Sequence, residues 1–366
     1  MADKGGSKSC CGAGLAMITD QKPCCSQIPA ETYWSKGTID TPHGKVLKVG
    51  TELVFRDILG AWKARWAINR MRYTVPPGLY GAGNPDKDSP VLVTANYKMS
   101  FDRLRKELAG LNAWILVLDT KGINVWCAAG KGTFGTAELI RRIAMVGLSH
   151  VVSHHTIILP QLGAPGVAAQ EVRRQSGFYV VYGPVRAVDI KAFLKADMKA
   201  TREMRTVKFG FLDRLILTPV ELMMAMKPLA IIAAALVIAA VTGLIHVSFS
   251  GLYPFVGAIL IGAVAAPALL PWIPGCAFSW KGWLTGFLWA MAVLCLPGNL
   301  LQTGTIWNTL ALLFLLPAIS AFLTLNFTGA STYTSLSGVK KEMRFAIPVI
   351  VVLASAGIGS WLVGRI

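Results

Sequence analysis

The chain has 366 residues, 54% of them hydrophobic, a mean hydropathy of +0.52 and a net charge of +17. A single soluble domain does not have that balance, whereas a soluble half joined to a membrane half does. Beyond residue 227 the only charged residues are Lys281, Lys340, Lys341, Glu342, Arg344 and Arg365, so most of the positive charge lies in the first half. No nucleic-acid motif accompanies it, and nucleic acid is not an expected partner.

Residues 1–50 read as an irregular, mobile segment holding two vicinal cysteine pairs, Cys10-Cys11 and Cys24-Cys25. It has no apolar stretch of the signal-peptide kind, so a cytoplasmic N-terminus is expected. Seven cysteines in these positions do not form a disulfide framework and are expected to be reduced. Residues 51–90 form the next unit. Over 51–73, Val54, Ile58, Trp62 and Trp66 recur at helical spacing, with Lys63, Arg65, Arg70 and Arg72 elsewhere, which predicts a basic amphipathic helix. Such a helix lies either on a membrane surface or against the folded domain. Pro76-Pro77-Gly78 and the run 81–90 then predict a long turn-rich connection.

From Val91 to residue 198 short apolar strands alternate with helical patterns. Strands are expected at Val91–Ala95, Trp114–Leu118, Ile123–Trp126, Thr156–Leu159 and Phe178–Tyr182. Helices are expected at Phe101–Ala109, Gly135–Val146, Gly166–Gln175 and Val188–Ala196. The pattern implies an α/β, Rossmann-like domain with a mostly parallel sheet covered on both faces. Residues 199–227 read as a basic juxtamembrane linker that an anionic leaflet would attract, so membrane lipid is an expected partner.

Residues 228–366 contain five apolar stretches near 228–249, 253–273, 283–301, 305–325 and 345–364. Each approaches the ~20 residues that cross a bilayer as a helix, predicting an all-α transmembrane domain of five helices. Positive loops alternate with neutral ones, placing the soluble half in the cytoplasm, the chain in the inner membrane and the C-terminus outside. No Asp, Glu, Lys or Arg falls inside a span, which favours an anchor or docking platform over a transporter. Cys295 is expected to be a small buried residue of the third span rather than a metal ligand.

Ligands of parallel sheets bind outside the carboxyl ends of the strands. Here those ends run into small residues: Thr94-Ala95-Asn96, Cys127-Ala128-Ala129-Gly130, Gly163-Ala164-Pro165-Gly166 and Gly183-Pro184-Val185-Arg186. Together they predict room for a large flat or phosphate-bearing ligand. The Gly130–Gly135 run is a weak dinucleotide fingerprint, because no acidic residue follows about 20 positions on, and it is not a P-loop. Cys127 is the sharper signal. Between a strand and a helix start, with Lys131 four residues on, its sulfur is expected to be a nucleophile or a soft-metal ligand. His154-His155 is read as structural rather than as its base.

The octapeptide Asn124-Val125-Trp126-Cys127-Ala128-Ala129-Gly130-Lys131 resembles the N-(V/I)-W-C-A-(A/G)-G-K motif of the mercury-methylating corrinoid proteins of the HgcA family, and all eight positions agree. The segment from Val91 to about Leu194 is similar to the corrinoid-binding domain of the corrinoid iron–sulfur protein of the acetyl-CoA pathway. The similarity includes Val91-Leu92-Val93-Thr94, the run Leu159 to Gly166, and Tyr182-Gly183-Pro184-Val185-Arg186.

The resemblance implies a cobalamin-type corrinoid held base-off with the Cys127 thiolate as lower cobalt ligand. It places Thr94, Asn124, Trp126, Ala128, Gly130, Lys131, Gly163, Gly166, Gly183 and Arg186 around that cofactor. It also implies methyl transfer from cobalt to Hg(II), giving methylmercury. The partners it implies are a ferredoxin-like protein with two [4Fe–4S] clusters that reduces the cobalt, and a methyl donor derived from methyl-tetrahydrofolate. Cys10, Cys11, Cys24 and Cys25 are then candidates to collect Hg(II), although a reduced tail is the plainer reading. The alternatives left open are a corrinoid methyl carrier of one-carbon metabolism and a non-enzymatic membrane scaffold with a nucleotide-binding domain.

Overall fold

A computed structural model describes residues 32–243, 249–295 and 305–364. Cys10, Cys11, Cys24 and Cys25 lie outside the described residues. Seven strands, β1 (Ser35–Thr41), β2 (Gly44–Val49), β3 (Gly78–Ala82), β4 (Val91–Ala95), β5 (Ala113–Leu118), β6 (Thr156–Leu159) and β7 (Tyr179–Tyr182), form one sheet in the order β1-β2-β3-β5-β4-β6-β7. Strands β5, β4, β6 and β7 are mutually parallel, β3 runs antiparallel to β5, and β1 and β2 make an antiparallel hairpin on the far edge. The strand order reverses between β4 and β6, and a crevice opens at such a reversal.

β4 and β5 are buried at every position, which is why they read as unbroken apolar runs. Helices α1 (Phe55–Arg65), α2 (Lys98–Glu107), α3 (Val125–Lys131), α4 (Thr136–Met145), α5 (Leu148–Val151), α6 (Ala169–Ser176) and α7 (Ile190–Lys195) cover the sheet. Leu139, Ile143 and Val172 of α4 and α6 pack on one face. Phe101, Leu104, Ile190 and Phe193 of α2 and α7 pack on the other. The α/β expectation therefore holds for this half.

Three expectations about its elements do not. Residues 35–49, expected to be irregular, form the β1–β2 hairpin, whose Leu47 and Val49 are buried while their lysine neighbours face out. Gly78–Ala82, expected to be turn, is a strand; a Cβ at Gly81 would lie 2.4 Å from Ile39 Cδ1, so glycine is what lets β1 approach. Ile123 and Asn124 are loop and Val125 and Trp126 open α3, so no strand forms there, and Asn124 caps that helix. A short apolar run alone does not distinguish the two. In α1 the apolar stripe faces outward, with Phe55 76% and Trp62 58% exposed, while the buried positions are Asp57 and Ala64.

A charged network explains that orientation. The Asp57 carboxylate accepts from Lys98 Nζ (2.8 Å), Arg105 Nη2 (2.7 Å) and the Tyr33 hydroxyl (2.8 Å). Asp102 accepts from the same lysine (2.5 Å) and from Arg105 Nε (2.7 Å). All four charged side chains are buried. α1 is thus tied to α2 through paired charges, each of which would be costly to bury alone.

Residues 199–227, expected to be a linker, contain α8 (Arg202–Arg205), α9 (Phe211–Leu215) and the first turns of α10 (Thr218–Val241). Buried Arg214 fastens this segment to the apolar half, donating to the carbonyls of Ala268 (2.9 Å) and Phe209 (2.7 Å) and to the Tyr333 hydroxyl (3.1 Å). The apolar half continues with α11 (Phe249–Leu260), a π-helical turn (Ile261–Ala265), α12 (Ala266–Leu269), α13 (Phe278–Cys295), α14 (Ile306–Asn326) and α15 (Leu336–Val363). Among the described residues three helical stretches, Gly251–Leu269, Ile306–Gly329 and Ser337–Val363, are long and apolar enough to cross a membrane, against the five expected. Cys295, expected to be buried, is exposed at the end of α13.

Small residues let these helices touch. Cβ atoms at Gly282 and Gly286 would fall 2.5 Å from Thr324 Oγ1 and 2.7 Å from Ser320 Cβ on α14. The Ser320 and Thr324 hydroxyls donate to the Ala258 and Gly262 carbonyls at 2.8 and 2.9 Å, joining a third helix to the pair. Close backbone approach with interhelical hydroxyl bonds is how apolar helices associate without a hydrophobic drive between them.

Candidate functional site

A cavity of about 2030 Å³ opens at the carboxyl ends of β4, β6 and β7. One wall is Leu92, Val93, Thr94, Leu159, Pro160 and the Gly183–Arg186 turn, with the outer face of α3 beside them. α1 and α2 contribute Ile58, Trp62, Arg65 and Arg103, and the apolar half contributes Glu221 and Met224 of α10.

Local chemistry sets α3 in place. The Asn124 side chain accepts the Cys127 backbone N–H at 2.9 Å, satisfying one of the free donors of the first turn. Gly132, at φ 79, ends the helix in the left-handed conformation. The preceding loop is held by Asn96, whose buried Oδ1 accepts from Thr120 N (3.1 Å), Thr120 Oγ1 (2.8 Å) and Gly122 N (3.0 Å). Asp119 N–H donates to Glu138 of α4 at 2.9 Å, and Glu138 in turn accepts from Arg142 at 2.6 Å. Burial would raise the Glu138 pKa, but the Asp119 N–H and Arg142 outweigh it and hold the carboxyl below its ordinary value.

The seven residues of α3 then divide. Val125, Ala128 and Ala129 are buried, while Trp126, Cys127, Gly130 and Lys131 are exposed and line the cavity. Cys127 is a free thiol on that face. Behind the helix runs a 3-10 segment, Gln161–Gly166. A Cβ at Gly166 would sit 2.2 Å from the Phe134 carbonyl oxygen and 3.0 Å from Ala129 Cα. One at Gly163 would sit 2.5 Å from the buried Phe134 ring.

Of the residues expected around a ligand, Thr94, Asn124, Trp126, Cys127, Gly130, Lys131, Gly183 and Arg186 line the one cavity. Ala128, Gly163 and Gly166 do not; they are the packing layer that lets α3 lie close against the strand ends. Arg186 donates to the Lys208 carbonyl and pairs with Asp213, each at 3.3 Å, and so also braces the segment before α9. His154 is structural, with its ring nitrogens 2.9 Å from the Ser89 carbonyl oxygen and 3.3 Å from the Thr156 amide.

Sequence reading placed Asn96 at a strand end without its role in holding the 120–122 loop, and it missed the Asp57–Lys98–Asp102–Arg105 network and the α10 wall. Asn96 carried a signal, an amide at a strand end two residues after Thr94. The network's members are separated by as many as 48 positions and carried none.

Residues 67–194 match the family described as CO dehydrogenase/acetyl-CoA synthase delta subunit. The acetyl-CoA decarbonylase/synthase complex subunit gamma of Methanocaldococcus jannaschii is 31% identical over 128 residues, 34% of this chain and 26% of that protein. The Archaeoglobus fulgidus subunit of the same description is 27% identical over 162 residues, 42% of this chain and 34% of that protein. The corrinoid/iron-sulfur protein large subunit of Moorella thermoacetica is 30% identical over 118 residues, 32% of this chain and 26% of that protein. The chain thus spans about a quarter to a third of the length of these relatives. The family match ends before α8, within the α/β half.

Proposed function

We propose that the cavity holds a corrinoid, base-off, with the Cys127 sulfur beneath its cobalt, and that the chain is a methyltransferase acting on Hg(II). The observation that carries this reading is the position of Cys127, a free thiol on the exposed face of a capped helix, in the wall of a cavity of about 2030 Å³ at a strand-order reversal. The donor fits, since a sulfur ligand suits cobalt and, among the described residues, no histidine lines the cavity. The space fits too: an open site beside the strand ends, bounded by apolar side chains, suits a broad macrocycle with polar edges. The similarity of residues 67–194 to relatives described as corrinoid/iron-sulfur protein supports the same ligand class.

When bound, the corrinoid supplies the cobalt–carbon bond, and the protein's contribution is ligation, orientation and exclusion of water. Cys127 ligates. Asn124 fixes the Cys127 backbone, and therefore where its sulfur projects. Trp126, Thr94 and Lys131 bound the ring's surroundings, and the walls from α1 and α10 shield them from bulk water. The chain contains no iron–sulfur cluster motif, so the two-[4Fe–4S] ferredoxin-like reductant acts in trans, and methyl groups arrive from a methyl-tetrahydrofolate-derived donor. The apolar half anchors the site at the cytoplasmic face of the inner membrane through five spans, with the C-terminus outside.

A second reading keeps the corrinoid and makes the chain a methyl carrier of one-carbon metabolism, as the descriptions of the acetyl-CoA decarbonylase/synthase relatives favour. The two are separated with full-length protein loaded with corrinoid. The visible spectrum should change on Cys127→Ala, and methylmercury formation from Hg(II) should be lost while membrane insertion is retained. Spectral change without methylmercury formation by the parent chain would leave the carrier. A Cys127→Ala protein with unaltered spectrum and activity would overturn Cys127 as the cobalt ligand, and a colourless, nucleotide-loaded protein would point to a scaffold.

A further inference from the structure

Three arginines on the α1–α2 side of the cavity form no ion pair among the described residues. Arg65 is the last residue of α1, Arg70 begins the 3-10 turn Arg70–Arg72, and Arg103 lies on α2. All three line the cavity that Cys127 lines. Among the described residues neither the Arg65 nor the Arg103 guanidinium makes a hydrogen bond or an ion pair. Arg70 donates only to the Ala64 carbonyl, at 3.4 Å, and stacks 5.7 Å over the Tyr97 ring. Burial, and then the fields of Arg103 and Arg70, push the Arg65 pKa below its ordinary value. The nearby acids do not help. Asp57 and Asp102 are spent on Lys98 and Arg105, and Glu107 and Glu221 line the cavity without an ion pair to any of the three, Glu221 meeting only the longer-range field of Arg70.

The backbone is bent to bring these charges together. Between Arg65 and Arg70 the chain passes through Ala67 at φ 58 and Asn69 at φ 51. An alanine in that region costs free energy and persists only where its surroundings impose it, often at ligand clamps. The Asp57 network meanwhile holds α1 against α2, so the like charges cannot drift apart. Like charges gathered in one cavity wall, with Arg65 and Arg70 half-buried and Arg103 exposed, are unfavourable unless an anion joins them, and planar guanidinium groups match phosphate oxygens two at a time.

We propose that Arg65, Arg70 and Arg103 form a binding site for a phosphate group within the Cys127 cavity. Two sources carry that chemistry. One is the phosphodiester in the nucleotide tail of the bound corrinoid, and this source rests on the function proposed above; the other is the headgroup of a membrane phospholipid.

The test compares the full-length chain with an Arg65→Gln/Arg70→Gln/Arg103→Gln variant, each in detergent. Binding of cobalamin and of cobinamide, which lacks the phosphate-bearing tail, is followed by visible absorption. Lipid phosphorus per chain is measured after re-extraction from phosphatidylglycerol vesicles. With the cofactor as source, the parent prefers cobalamin, by about tenfold for each arginine engaged. The variant loses that preference while its cobinamide affinity, which reports an intact site, is unchanged. With lipid as source, the corrinoid preference is the same in both proteins and retained phosphorus falls in the variant. If neither quantity moves, the proposal is wrong. If the parent binds neither corrinoid, the functional reading fails, and the phosphorus measurement alone decides this one.

Discussion

Gly166 and Gly130 lie on opposite sides of α3, and a single methyl group at each should have opposite effects. At Gly166 the added carbon would lie 2.2 Å from the Phe134 carbonyl oxygen, where ordinary contact begins at 3.4 Å, and 3.0 Å from Ala129 Cα. Both obstacles are backbone, so no side chain can swing aside. The 3-10 segment must move about 1 Å from the Phe134 backbone that follows α3, and a few tenths of an ångström from α3 itself, the first displacement being well beyond what packed atoms absorb. Overpacking of this kind costs about 1–3 kcal/mol. At Gly130 nothing lies within 4 Å of the new carbon, and alanine in a helix is favoured over glycine by about 0.5–1 kcal/mol. Denaturant unfolding of the full chain, followed by tryptophan fluorescence, should therefore show Gly166→Ala destabilised by about 2 kcal/mol, and Gly130→Ala unchanged or slightly stabilised. Because α3 carries Cys127, Gly166→Ala should also lower corrinoid retention. A Gly166→Ala protein as stable and as cofactor-retentive as the parent would refute the view that this glycine seats the cysteine helix.

Other expectations follow from the same geometry. Asn124→Ala removes the acceptor of the Cys127 N–H and should cost about 1 kcal/mol, read by denaturant midpoint, with corrinoid affinity weakened in parallel. Asp57→Ala strands buried Lys98 and Arg105 and should cost about 3–5 kcal/mol, far more than a surface carboxylate would. Burial acts to raise the Asp57 pKa, but its hydrogen bonds from Lys98, Tyr33 and the Val54 N–H outweigh that and hold it at about 2. A depressed carboxyl contributes stability above its unfolded value of 3.8, and that contribution fades as the pH falls toward about 2. Acid titration of the parent should show this loss, and Asp57→Ala should lack it. Gly286→Leu places a side chain where Pro317 Cα and Ser320 already stand, 2.8 and 2.7 Å from the Cβ, and should lower the yield of folded, detergent-extracted protein.

Much of the site was legible because it is local. The Asn124–Lys131 motif, the small residues at strand ends and the free Cys127 are each visible within a few positions of sequence. The alternation of apolar strands with helices likewise specified a covered parallel sheet, since β4 and β5 must be apolar on both faces to be buried on both. What needed the tertiary structure is long-range. Where the Asn124-capped helix starts in space is set by Asn96, more than 20 residues upstream, gripping the Thr120–Gly122 loop. Whether the apolar stripe of α1 faces in or out depends on a carboxylate at 57 meeting cations at 98 and 105, and those paired charges outweighed the periodicity. Gly163 and Gly166 read as ligand contacts in one dimension, yet in three they are the clearance that brings α3 to the strand ends. Composition and periodicity report how much a residue avoids water; which partner relieves it is set only when distant segments are brought within bonding distance.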